Sequence, residues 1–144
     1  MGAFLAVAGG LWLKWHDERR AARAVRVQFV RLLALVRAAI APFIDDRTAP
    51  MSLLSDPSIS YLRERAFSAD AALALTEREN HLVHDALQQL LRSTDYIDER
   101  RRAASPQASG ASLAIIQNFH EIPDAAREAV VQLDAAAAEI QKNV

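Results

Sequence analysis

The residues best placed to do chemistry are Glu77, His81, His84 and Asp85, in the segment ERENHLVHD. Their spacings of three and four put all four within a ~100° sector of a helix, opposite Val83 and Leu87. Two imidazoles with neighbouring carboxylates could hold a divalent cation. The order differs, however, from the HExxH of a zinc protease and from the ExxH pairs of a di-iron bundle. The plainer reading is a solvated helix face with an acid favourable to the helix N-terminus, and with it no metal and no cofactor.

Other reactive types are scattered. His16 follows Trp15, where an amphipathic ring can snorkel, and His120 with Glu121 lies at a helix end. No GxSxG elbow or SxxK is present, and with four glycines there is no phosphate-cradling loop. The absence of cysteine excludes disulfides, thiolate metal sites and cysteine nucleophiles. Arg100, Arg101 and Arg102 follow Asp95, Asp98 and Glu99 as a mixed helix terminus, and Tyr61 and Tyr96 are isolated, so no base-stacking platform exists. No catalytic residue is expected, and the chain is not read as an enzyme.

The elements that must position these side chains are helical. Alanine dominates the apolar half of the 144 residues, favouring helix over strand. The expected fold is all-α: a small antiparallel bundle of three to four helices with an N-terminal apolar segment. Its helices fall at about 16–44, 57–68, 76–102, 113–120 and 123–142.

Within the first, Val25, Phe29, Leu32, Val36, Ala39 and Phe43 recur at steps of four and three, with Arg23, Arg26, Arg31 and Arg37 on the other side. Pro42 kinks or ends it, and Asp45 and Asp46 close it. Residues 45–57 read as a loop, with Asp56 capping a helix that starts at Pro57. Ile59, Leu62, Ala66, Ala69 and Leu73 form the next apolar line, in phase with Val83, Leu87, Leu90, Thr94 and Ile97 beyond it. One helix over 57–102 would fit that phase, but a break between 68 and 76 is preferred. Ser68, Asp70 and a Thr76–Glu79 capping box offer the backbone other partners. Residues 105–112 are a flexible connector. The last helix carries Ala126, Val130, Leu133, Ala137, Ile140 and Val144, small residues that suit an edge helix or one packed on a partner.

Location is the clearest message. An apolar stretch, Met1 to Leu13, runs into Trp12, Lys14, Trp15, Arg19, Arg20, Arg23 and Arg26. Apolar run, aromatic pair and positive charge is the order in which a chain leaves a membrane on its cytoplasmic side. Thirteen helical residues cover ~20 Å, against ~30 Å of bilayer core. The stretch is therefore a span whose start lies upstream, a short span in a thinned bilayer, a buried helix end or a cleaved signal, with an anchor over 1–15 preferred. Residues 24–44 are barred from spanning by Arg26, Arg31 and Arg37. Residues 1–44 hold seven Lys/Arg against two acids, net +5, whereas 45–144 hold ten against sixteen, net −6. That split suits an anionic lipid surface and argues against nucleic acid.

The stretch GGLWLKWHDERRAARAVRV, a Pro-containing loop, ISYLRERAF and LALTERENHLVHDALQQLL together resemble a loose class of bacterial and phage proteins. These have an N-terminal membrane helix, an arginine-rich juxtamembrane helix and a small helical hairpin. The resemblance spans about residues 5–100 and implies an anchored helical protein, with no activity attached to any residue.

The expectation is thus a single-pass inner-membrane protein whose body, 16–144, lies in the cytoplasm. It would act as an interaction or scaffold protein on the bilayer surface and a protein partner or second copy. A phage lysis accessory or toxin-like envelope protein, with the body on the opposite side, is the alternative. A metal-binding helical enzyme ranks third.

Overall fold

The computed structural model describes residues 2–45, 57–103 and 121–144, with side chains over 12–44, 57–93 and 124–144. These residues form α1 (Gly2–Ile40), α2 (Pro42–Asp45), α3 (Pro57–Ala66), α4 (Ala69–Ala74), α5 (Glu77–Ala103) and α6 (Glu121–Gln141). Among them there is no strand, and the fold is a small all-α bundle. The expected Asp56 cap, the 105–112 connector and the 113–120 helix lie outside the described residues, as do the side chains of Thr94 and Ile97.

α1 is one uninterrupted helix, ~58 Å long at 1.5 Å per residue. The amide of Ala41 closes its last turn on the Arg37 carbonyl at 2.9 Å. Pro42 has no N–H to continue the ladder and instead begins α2, a first-turn position where none is needed.

The break expected between 68 and 76 is present, but the preceding helix already ends at Ala66 and the break holds an extra helix, α4. Ser68 Oγ accepts from the Ala71 amide at 3.2 Å and donates to the Arg65 carbonyl at 2.8 Å, so Ser68 both ends α3 and caps α4. Leu75 is extended, and Thr76 and Glu79 then make the capping box of α5. Thr76 N–H donates to Glu79 Oε2 at 2.6 Å, and Glu79 N–H donates to Thr76 Oγ1 at 3.2 Å. Two caps within nine residues reset the rotation of the chain. Ala71, Ala74 and Leu75 therefore face the core, while Ala69 and Leu73, placed on the apolar line by their phase, face outward.

The core joins Phe29, Leu33, Val36 and Ile40 of α1, Val83, Leu87 and Leu90 of α5, and Ala126, Leu133 and Ile140 of α6, with Leu62 of α3 at the side. The last helix is not at an edge. Its buried alanines, 125, 126, 129 and 136, let it lie close between α1 and α5. Asp134 meets Arg37 at 2.7 Å, and Asn143 reaches Glu79, which faces Arg26. Moving eleven residues forward along α1 thus moves nine back along α6, and the two helices are antiparallel.

Candidate functional site: an aromatic and basic collar on α1

From Trp12 to Ala21 every side chain of α1 is exposed, and the bundle begins to cover the helix only near Ala22 and Val25. The exposed stretch carries the aromatic and basic residues. Trp12, Trp15, Arg19 and Arg23 fall within ~80° of one another on the helix, a stripe rotated away from the Val36 side that enters the core. The Arg19 guanidinium lies over the Trp15 ring, 3.7 Å from its centroid. His16 meets Trp12 edge-on at 4.8 Å between centroids and Trp15 at 6.0 Å. Lys14 pairs with Glu18 one turn on at 3.9 Å, an exposed pair of small energetic consequence. The result is a belt of indole, imidazole and guanidinium groups, amphipathic bodies with polar tips, of the kind that settles where hydrocarbon meets water.

Six of the seven residues expected at a lipid surface (Trp12, Lys14, Trp15, Arg19, Arg20 and Arg23) are exposed on this segment. Arg26 is not one of them. Its side chain is only 18% exposed and turns into the bundle, with Nε 3.5 Å from Glu79 Oε2. It is the first arginine of α1 to fall where α5 packs, and a buried carboxylate there outweighs solvation in water.

Glu79 is the feature that sequence reasoning understated. Its residue is fully buried, and its carboxylate serves three partners. Oε2 accepts from the Thr76 amide and faces Arg26, while Oε1 accepts from Asn143 Nδ2 at 2.8 Å. A single side chain thereby ties the start of α5 to α1 and to the C-terminal end of α6. The capping-box spacing pointed to Glu79 as a local cap; no local signal marks its reach to residues 26 and 143. Nearby, Arg78 and Lys142 bind Glu139 at 3.2 and 2.6 Å. The Lys142 hydrogen bond, opposed by partial desolvation and aided by the charges of Arg78 and Lys142, holds the Glu139 carboxyl below its ordinary pKa.

The metal candidates do not converge. His81 Nε2 lies 3.4 Å from Asp85 Oδ2, but the His84 ring turns away to pack on Phe67, 4.8 Å between centroids. Glu77 stands exposed in the first turn of α5. Among the described residues no three His, Asp or Glu side chains are grouped as a metal would require. His120 lies outside the described residues.

Among the described residues one helical stretch, Trp12–Ile44, is long and apolar enough by length and composition to cross a membrane. Its second half is the part of α1 sealed by the bundle, and a core helix satisfies the same criterion. A half-open cleft of about 490 Å³ also lies between α1 and α3, lined by Phe29, Leu32, Leu35 and Tyr61 with Arg31 and Arg65 at its rim. Comparison with protein-family models, with curated proteins and with solved structures found no match to this chain.

Proposed function

We propose that the chain is a membrane-anchored helical interaction protein. The apolar start of α1 enters the bilayer, the collar sits among the lipid head groups, and the bundle is held at the surface to bind a protein partner or a second copy. The observation that supports this most is the continuity of α1. A single helix carries apolar residues, then an exposed Trp–Arg belt, then the core face of the bundle. An apolar helix end is stabilised where lipid or a partner covers it.

The basic residues flank the apolar stretch on its C-terminal side, which favours a cytoplasmic body and a single pass through the inner membrane. Fractionation of tagged protein tests the anchor: it should sediment with membranes and move to the supernatant only with detergent. Protein that stays soluble without detergent rules the anchor out. A C-terminal alkaline phosphatase fusion tests the orientation. An inactive fusion is expected; an active one would favour the envelope or lysis reading, in which the body faces outward.

A further inference from the structure

Among the described large apolar side chains Leu73 is the most exposed, at 87%. It belongs to α4, whose Ala69 and Ala72 are also exposed, so this short helix presents three apolar side chains outward beside Asp70. Asp70, Leu73 and Ala74 form one wall of a half-open groove of about 380 Å³, and Glu18, Ala21, Ala22 and Val25 of α1 form the other. Leu73 therefore stands level with Arg19, Arg20 and Arg23, at the end of the bundle nearest the apolar start of α1.

The charge at this end is favourable for an anionic surface. Glu18 is paired with Lys14, Asp70 with Arg65, and Glu139 with both Arg78 and Lys142. Arg19, Arg20 and Arg23 then stand exposed against Asp17 and Glu77.

Resting on the anchored reading above, we propose that Leu73 and the Arg19–Arg20–Arg23 segment form a second contact that docks the bundle onto an anionic bilayer surface. The arginines meet the lipid phosphates and Leu73 enters the head-group boundary, so the body lies against the membrane instead of hanging from its anchor.

The chain has no cysteine, which allows single-site labelling of the full protein. Leu73→Cys and, on the exposed flank of α6, Val131→Cys would each carry an environment-sensitive fluorophore. Each is reconstituted into phosphatidylcholine vesicles with or without phosphatidylglycerol, containing head-group nitroxide lipid. In anionic vesicles quenching at 73 should exceed that at 131 by about threefold or more. It should fall about twofold or more in wholly zwitterionic vesicles and in the Arg19→Gln/Arg20→Gln/Arg23→Gln background. Equal quenching at both sites in protein that floats with the vesicles overturns the docking and leaves the anchor standing; a face reserved for a protein partner gives this result. Quenching at 73 that ignores lipid charge also overturns it. Protein that floats with neither vesicle overturns the anchor and the docking together.

Discussion

Over residues 12–21 of α1 every side chain is exposed, whereas from Phe29 to Ile40 half of them are buried in the core, with α3 and α6 packed on the helix. The residues up to Leu13 and those from Phe29 to Ile40 share one helix and a similar apolar content. What separates them is the arrangement of charge. In the second half Arg31 and Arg37 stay on the solvent side, leaving a clean apolar face for the bundle. In the first, the residues up to Leu13 carry no charge on any side, the pattern of a helix surrounded by apolar material. Hydropathy summed over a window cannot tell these cases apart; the angular distribution can.

The largest expected effect breaks the core half. Leu33→Ala should cost about 3–4 kcal/mol in denaturant unfolding, because a fully buried side chain leaves a cavity. Leu13→Ala, on the exposed half, should change that stability by less than about 0.5 kcal/mol. Comparable losses from both would mean that the bundle also covers the first half.

Glu79→Ala should come next, at about 3 kcal/mol, since it leaves Arg26 unpaired and also removes a cap and the Asn143 bond. Glu79→Gln keeps a cap acceptor and should lose less. If the two variants unfold together, the carboxylate charge is what matters.

A smaller effect sharpens the collar. Trp15→Ala removes the ring under Arg19 and should weaken the local helix by about 0.5–1 kcal/mol, read as faster amide exchange over residues 12–19 with no change beyond residue 29.

The smallest concerns pH. Because the Glu139 carboxyl titrates below its ordinary 4.5 in the folded state, its contribution is present above that value and fades as pH falls through the lowered folded pKa. Glu139→Gln should therefore melt below the parent at neutral pH, and the two melting curves should converge in acid.

Much of this fold is legible because its signals are local. The 4-3-4-3 spacing from Val25 to Phe43 finds the core face of α1, and the Thr76–Glu79 spacing finds the start of α5. The apolar line was misjudged at Ala69 and Leu73 because Ser68 caps a six-residue helix and the phase restarts there. The last helix looked peripheral because alanine buries little area; in a bundle, small residues mark closeness as readily as an edge. Arg26 shows the clearest limit. Its neighbours in sequence are exposed arginines, and only a residue 53 positions away explains why it turns inward.

The antiparallel seating of α6 on α1 also sets an order of events during synthesis. Leu33 is covered by a helix centred on Leu133, made a hundred residues later. At ~5–20 residues per second, the apolar face of α1 waits roughly 5–20 s for its cover. If the start of α1 enters a bilayer as proposed, the nascent chain displays a second apolar stretch directly behind the first during that interval. Arg31 and Arg37, on the solvent side of the finished bundle, would make that stretch costly to insert while it waits.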